Sequence, residues 1–288
     1  MSAVNIDHAA PPDYMGPPTP DPARFGLFSV ANMVTDPTMR YEAGLEWEPI
    51  ACGPGGIVTM ICPPDPDVRE GIPLVARDGE DLVTVLPFAV TGSYLCSAFS
   101  RPMEEAENRA RQHLAVGEER AAEFAIATGD PDNEPTFAGA TDLTPGGGAV
   151  GVKAGFGLLE AHLGANYGGV GVIHAPRLVA PVASSEGLTD RVGQRIETQV
   201  GTMVAFGGGY DLANIGPDGN TPPEGTAWLY VTSRPQIRRS EVWITPDEDQ
   251  RPNIANNDVE IFAQRIYSVG WECVTAAVQV AVYEPGVE

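Results

Sequence analysis

Four titratable side chains in the middle of the chain have types that occur in metal sites and in acid–base catalysis: His162, His174, Asp190 and Glu197. Metal sites visible in a sequence usually show a local ligand pattern, such as two histidines one helical turn apart, and these four residues form none. His162 lies in an Ala/Leu-rich segment, and His174 follows Ile173 in an apolar one. We therefore expect structural histidines, with a general base at His174 as the alternative.

The glycine-rich stretches do not match nucleotide-binding loops. A phosphate loop needs glycine immediately before its lysine and a hydroxyl residue immediately after it. In GGGAVGVK, Val152 precedes Lys153 and Ala154 follows it. YGGVGVIHA lacks the third glycine and the following helix of a dinucleotide loop, and no G-x-S-x-G elbow occurs. The sequence thus predicts no catalytic, cofactor-binding or metal-binding residues, and we expect a protein that is not an enzyme.

Charge and composition restrict the function classes. The formal net charge is −22, from 17 basic and 39 acidic residues. Such a surface repels phosphate, so we exclude sequence-specific nucleic-acid binding as the primary role; it would suit a container wall that must not adhere to packed DNA. No apolar run reaches the roughly 18 residues of a spanning helix. The first residues lack a secretory signal pattern, so we expect a soluble cytosolic protein without a membrane partner.

The cysteine spacing predicts neither zinc binding nor a thioredoxin-like motif. Cys52, Cys62, Cys96 and Cys273 include no pair separated by two residues. Because a free cysteine behaves as a small hydrophobic residue, we expect all four to be free thiols, mostly buried.

The first 88 residues are not self-sufficient in composition. Residues 1–24 are rich in proline, which favours extended geometry, and RFGLFSVANMV (24–34) then supplies apolar anchors. Residues 41–88 predict strands that are broken by turns, in a long excursion resembling a β-hairpin. Two strands alone are marginal in water, so contacts from another chain are expected to complete this part.

Residues 100–128 predict the longest helix, with Ser100 as N-cap and Gly129 as C-cap. A loop over 130–151 and a second helix from Lys153 follow. GVIHAPRLVAP (171–181) predicts a strand and its exit turn, with Arg177 as a candidate for pairing with a carboxylate. Further strands are predicted in four segments: TMVAFGGGYD, TAWLYVTS, SEVWITP and IYSVGWECVTAAVQVAVYEP. By contrast, NIANNDVEIFAQR (253–265) predicts a polar connector that becomes helical.

This order of elements resembles the major capsid protein of tailed phages, the Hong Kong ninety-seven type fold that encapsulin shell proteins share. Four segments carry the resemblance: PFAVTGSYLCSAFSRPMEEAENRARQHLAVGEERAAEFAIATG, GFGLLEAHLGANYGGVGVIHAPRLVAPVA, RIETQVGTMVAFGGGYD and NNDVEIFAQRIYSVGWECVTAAVQVAV. It implies an α+β fold with an N-terminal arm (1–41), an extended β loop (42–88), a peripheral domain with a long spine helix (89–151 and 225–288) and an axial domain (152–224).

The resemblance also implies a function. Many copies would form the hexamers and pentamers of an icosahedral phage head that encloses double-stranded DNA, in the virion after assembly in the host cytoplasm. Expected partners are other copies of the chain, scaffolding, portal and decoration proteins, and packaged DNA. The implied subunit-interface residues are Arg24, Phe25, Phe28, Trp47, Glu48, Arg69, Arg77 and Arg177.

One departure from the family pattern concerns covalent linkage. Some members join subunits by a lysine–asparagine isopeptide bond, which needs a lysine on the extended loop, and residues 42–88 contain none. We therefore expect a noncovalent shell. The alternatives are an encapsulin-like nanocompartment shell, another virion component such as a tail or decoration protein, and a metal-dependent hydrolase centred on His174.

Overall fold

The computed structural model describes residues 20–38, 40–50, 52, 82–97, 102–246, 252–253 and 258–283. Within these ranges there are five α-helices: α1 (Leu27–Val30), α2 (Met103–Thr128), α3 (Val152–Asn166), α4 (Ala180–Ser185) and α5 (Gly208–Leu212). There are two 3-10 turns, Arg40–Ala43 and Arg177–Val179. The described strands, in chain order, are β1 (Asn32–Thr35), β2 (Leu45–Trp47), β3 (Val83–Val85), β4 (Phe88–Ser97), β5 (Thr141–Asp142), β6 (Val150–Gly151), β7 (Gly171–Pro176), β8 (Thr189–Val192), β9 (Arg195–Thr198), β10 (Met203–Gly207), β11 (Thr226–Ser233), β12 (Gln236–Arg239), β13 (Trp243–Thr245), β14 (Pro252–Asn253), β15 (Asp258–Gly270) and β16 (Thr275–Ala281).

The long helix predicted over 100–128 is α2. It begins at Met103, after Pro102, whose fixed φ suits a helix start. It ends at Thr128, where Gly129 adopts a left-handed conformation with φ of 78° and donates its backbone N–H to Ala125. Gly129 is thus the predicted C-cap, whereas Ser100 lies outside the described residues. The second predicted helix is α3, which begins one residue before Lys153.

α2 covers a six-stranded sheet whose longest strand is β15. This strand pairs antiparallel with β4 on one side and with β12, β13 and β14 on the other, and β1 joins β12 in parallel. The helix can approach β4 closely because Gly92 has no side chain: a Cβ there would overlap the backbone of Leu114.

The predicted helical connector is wrong from Asp258 onward, because this segment is the first half of β15. Val259, Ile261 and Ala263 are buried, whereas Glu260 between them is exposed. This alternation has the period of a strand, in which successive side chains point to opposite faces. Ten consecutive residue pairs with β4 stabilise it.

The second large sheet has eight strands in the order β5-β16-β11-β7-β10-β9-β8, and β6 also pairs with β16. β7 and β10 are parallel, as are β5 and β6 to β16, and the other pairs are antiparallel. The predicted strand in GVIHAPRLVAP is therefore internal to a sheet. It ends at Pro176, which cannot donate a ladder hydrogen bond.

This sheet lies between two hydrophobic clusters, and alternate residues of its strands face each of them. Val172 and Ala277 belong to the cluster that includes residues of α2, and Ile173 and Val278 belong to the cluster that includes residues of α3. A small β2–β3 sheet contacts the end of β15, where the Trp47 ring and Val85 lie against Gly270. None of the described helices is both long and apolar enough to cross a lipid bilayer.

Candidate functional site

His174 lies on β7 and is enclosed by protein on every side. It is 1% exposed. Its Nδ1 lies 2.8 Å from the Tyr210 hydroxyl, and its Nε2 lies 2.9 Å from Oγ1 of Thr232. Burial lowers the pKa of His174 to about 3, so the ring is neutral. A neutral imidazole whose two nitrogens both contact protein hydroxyls holds neighbouring elements together and has no opening for a substrate.

His162, Asp190 and Glu197, the other three residues considered as metal ligands, do not form a cluster with His174. Nε2 of Gln199 donates to Asp190 at 2.7 Å, and Nδ1 of His162 lies 3.5 Å from Nδ2 of Asn166. Across the ranges that the structure describes, a single group brings three potential metal-binding atoms within 4.8 Å of one another: Cys52, Glu272 and Cys273. Two of these three residues are joined by a disulfide, so their thiolates are not available to a metal in this structure.

This disulfide corrects the expectation of free thiols. Cys52 and Cys273 are 221 residues apart in sequence, yet their Cα atoms are 5.8 Å apart, within the range that a disulfide spans. Spacing rules could not detect a pair that only the tertiary fold brings together. Cys96 is free, and Cys62 lies outside the described residues.

The clearest concentration of buried charge lies where residues 24–29 cross α2; we name this region the arm junction. The backbone carbonyl of Phe25 accepts the N–H of Phe206, which attaches the segment to the end of β10. α1 then contacts both α2 and β10. The arm junction therefore joins the N-terminal segment, the long helix and the eight-stranded sheet.

Glu123 is the buried centre of the arm junction, with 1% exposure. Its Oε1 accepts the Leu27 N–H at 2.9 Å, and its Oε2 accepts the Gly209 N–H at 2.9 Å. Burial raises the pKa of Glu123 to about 7, although these two hydrogen bonds oppose the shift. A side chain at Gly26, Gly207 or Gly209 would overlap Glu123, so the three glycines form its cradle.

Two further carboxylates on α2 bind other elements. Glu119 accepts the Phe28 N–H at 2.8 Å, and burial raises its pKa. Glu118 accepts hydrogen bonds at 2.7 Å from both Nη1 of Arg265 and the hydroxyl of Tyr267. Both of these partners lie on β15. One stretch of α2 thus binds the N-terminal segment through Glu119 and the six-stranded sheet through Glu118.

Arginines surround the same junction. A groove of about 620 Å³ is lined by residues that include Arg24, Phe25, Phe28 and Arg191, and the Arg191 guanidinium lies 5.2 Å from the centroid of the Phe25 ring. A neighbouring cavity of about 410 Å³ includes Arg120 and Arg177 in its lining. Among the residues with described positions, no carboxylate lies within 4.0 Å of the guanidinium groups of Arg24, Arg120, Arg177 and Arg191.

The structure thus brings four of the eight predicted interface residues to one place: Arg24, Phe25, Phe28 and Arg177. Nη1 of Arg177 lies 3.5 Å from the carbonyl oxygen of Arg24, and its backbone N–H donates to Asp211 at 3.0 Å. Trp47 and the exposed Glu48 lie apart from them, at the β2–β3 sheet. Arg69 and Arg77 fall outside the described residues.

The sequence reasoning did not single out Glu118, Glu119, Glu123, Arg120 or Arg191 as site residues. A signal for Glu123 was present, because it is the only charged residue in the apolar run AAEFAIA (121–127). A lone acid in such a run is unfavourable unless it finds buried donors. The signal does not name the donors, which come from residues 27 and 209.

Comparison with solved structures covers almost the whole chain. The capsid of the native GTA particle, solved with C5 symmetry, matches with a TM-score of 0.55 and 14% identity, over 98% of this chain and 99% of that one. The chain has the fold of a capsid protein. The capsid of the empty GTA particle gives a TM-score of 0.54 at the same identity and coverage.

A structure from Microbacterium phage Oxtober96 also matches, with a TM-score of 0.54 and 11% identity over 93% of this chain and 95% of that one. The predicted α+β fold of the Hong Kong ninety-seven type is confirmed by these matches. No protein-family model and no curated protein sequence matches the chain.

Proposed function

We propose that this chain is the major capsid protein of a tailed phage. Copies of it assemble into the hexamers and pentamers of an icosahedral head that encloses double-stranded DNA, and symmetry closes the shell. The single observation that carries this proposal is the likeness to the GTA particle capsid along 98% of the chain. The role is structural: the chain assembles in the cytoplasm of the host and resides in the virion.

The proposed parts of the subunit follow the chain order. Residues 1–41 form the N-terminal arm, 42–88 the extended loop, 89–151 and 225–288 the peripheral domain, and 152–224 the axial domain. α2 is the spine helix of this scheme. β11 and β16, which lie within 225–288, pair in the same eight-stranded sheet as β7, which lies within 152–224.

The proposed subunit contacts are Arg24, Phe25, Phe28, Trp47, Glu48, Arg69, Arg77 and Arg177. For the arm junction, the supporting observation is a groove with arginines on a chain of net charge −22. An acidic side chain of a neighbouring copy would complement these guanidinium groups, which have no carboxylate at ion-pair distance among the described residues. Packaged DNA, and scaffolding, portal and decoration proteins, are the further partners of the proposal.

Negative-stain electron microscopy of the expressed chain tests the function, combined with nuclease digestion of the particles. We expect closed shells of uniform size, and we expect DNA within phage-derived heads to resist nuclease. Closed shells that contain protein cargo and no genome would favour the encapsulin-like alternative. Tubes, rings or trimers would favour another virion component, and stoichiometric metal in a monomer with hydrolytic activity would overturn the structural role.

The contact at the arm junction needs its own test. Arg177→Glu reverses the charge that an acidic side chain of a neighbouring copy would complement, and we expect shell formation, measured as the fraction of protein in particles on a sucrose gradient, to fall at least tenfold. Arg111→Glu makes the same charge change at an exposed position of α2 and is the matched control. Equal particle yields for both variants would remove Arg177 from the interface, while the shell function could still hold.

A further inference from the structure

The disulfide lies at the base of the 42–88 excursion. Cys52 is 8% exposed, and its backbone pairs with Tyr167 in an isolated bridge. Cys273 is exposed in the turn between β15 and β16. Five residues before Cys52, Trp47 packs against Gly270 near the same turn. The sulfur–sulfur bond therefore fixes residue 52 to the turn between β15 and β16.

We propose that Cys52 and Cys273 form a redox-operated clamp, open as two thiols in a reducing environment and closed to a disulfide by a small-molecule disulfide oxidant. With the clamp closed, the chain is fixed as far as residue 52. With it open, the backbone bridge between Cys52 and Tyr167 remains, and the covalent link to Cys273 is lost. The inference concerns one chain and stands whether or not the shell function does.

The closing reaction is thiol–disulfide exchange. The thiolate of the exposed Cys273 attacks one sulfur of oxidised glutathione, and one glutathione thiolate leaves. The Cys52 thiolate then attacks Sγ of Cys273 in this mixed disulfide and releases the second glutathione thiolate. Two protein thiols are oxidised and lose their protons to solvent, and one glutathione disulfide is reduced to two glutathione molecules.

Glu272 is placed to slow the reopening of the clamp. Its carboxylate and the two sulfurs lie within 4.8 Å of one another. The backbone N–H of Glu272 donates to Oγ of Ser233 at 2.8 Å, which holds the turn in place. An attacking thiolate must approach this carboxylate, and Coulomb repulsion between two unit charges about 5 Å apart in water corresponds to roughly a fourfold lower rate. Glu272 therefore acts on the redox chemistry through its charge.

Peptide mapping of the full-length chain tests the clamp. The protein is equilibrated with mixtures of oxidised and reduced glutathione, free thiols are alkylated, and the peptides are identified by mass spectrometry. We expect a Cys52–Cys273 peptide under oxidising conditions and two alkylated thiols under reducing ones. Backbone hydrogen exchange in the peptide that contains Cys52, whose backbone pairs with Tyr167, should be at least tenfold faster in the reduced chain, without global unfolding.

In the peptide that contains Cys52, Cys273→Ser should exchange as the reduced wild type does under all conditions, and Cys96→Ser, the matched control, should keep the redox response. If Cys273→Ser does not fold, the oxidised and reduced wild type alone decide the question. Glu272→Gln should be reduced by dithiothreitol about fourfold faster at low salt, and the difference should shrink in high salt. A link between Cys52 and Cys62 instead, or equal exchange in both redox states, would overturn the proposal.

Discussion

Replacement of Glu123 by glutamine should change the pH dependence of stability in a defined direction. The native pKa of Glu123 is about 7, against 4.5 for an ordinary glutamate. The native state therefore binds the proton more tightly than the unfolded state does. Between pH 4.5 and 7 the stability contributed by this group is highest at low pH and falls as pH rises, by about 3 kcal/mol in total at roughly 1.4 kcal/mol per pKa unit.

The hydrogen bonds of Glu123 explain the stability difference expected between the variant and the wild type at each pH. The carboxylate accepts two backbone N–H groups, and glutamine can accept only one and must turn its own NH₂ toward the other. A protonated carboxyl has the same limitation, because its hydroxyl faces one of the two N–H groups. At pH 5, where wild-type Glu123 is protonated, the variant should therefore be close to wild type. At pH 8, where wild-type Glu123 carries a buried charge, the variant should be more stable by about 2–3 kcal/mol.

Thermal unfolding of both proteins at pH 5, 6, 7 and 8 measures the effect. We expect the Tm of the wild type to rise relative to that of the variant by about 5 °C from pH 8 to pH 5. Glu119, Arg177 and Tyr210 also contribute to the field around Glu123 but are unchanged in the variant, so their effects largely cancel in the difference. Glu104→Gln, at an exposed position of the same helix, is the control. A Tm difference that does not vary with pH would refute the reasoning.

Three further results are expected. In the Glu123→Gln variant the free energy of unfolding should fall by about 2 kcal/mol from pH 7.5 to 5. The reason is that His174 takes up a proton near pH 6.5 in the unfolded state, whereas its native pKa is about 3. Adding His174→Gln should remove this pH dependence in thermal unfolding. Gly92→Ala should lower the free energy of unfolding by about 1–3 kcal/mol, because the new Cβ would overlap the Leu114 backbone. Gly117→Ala on α2 should raise the free energy of unfolding by about 0.5–1 kcal/mol, because the new Cβ would meet open space. Purified particles boiled in denaturant with reductant should run as single chains, because residues 42–88 contain no lysine; a ladder of linked chains would contradict a noncovalent shell.

Local sequence patterns located most of the elements that build the capsid fold. α2 and its glycine C-cap followed from apolar spacing and the position of Gly129, and β7, β10 and β11 followed from short apolar runs bounded by glycine or proline. The polar start of NIANNDVEIFAQR obscures its period-two alternation. Local patterns therefore predict a helix where the first half of β15 lies. Its strand conformation depends on pairing with β4, which lies more than 150 residues earlier in the chain.

The candidate site is only partly predictable from the sequence. The family resemblance predicts four of its residues as subunit contacts, and the structure places them around one groove and its neighbouring cavity: Arg24, Phe25, Phe28 and Arg177. Glu123 differs because α1 and the β10–α5 turn both close over it, and neither is near it in sequence.

By itself, the sequence determined the acidic surface, the absence of lysine from residues 42–88, and the helix and strand periods, because these are properties of composition and of neighbours along the chain. Only the tertiary structure decided the Cys52–Cys273 bond, the cradle around Glu123 and the grouping of arginines at the arm junction. Each of these brings together at least two segments that are more than 50 residues apart in the chain, and the two cysteines are 221 residues apart. Their distances are set by strand register and helix packing, which no local pattern encodes.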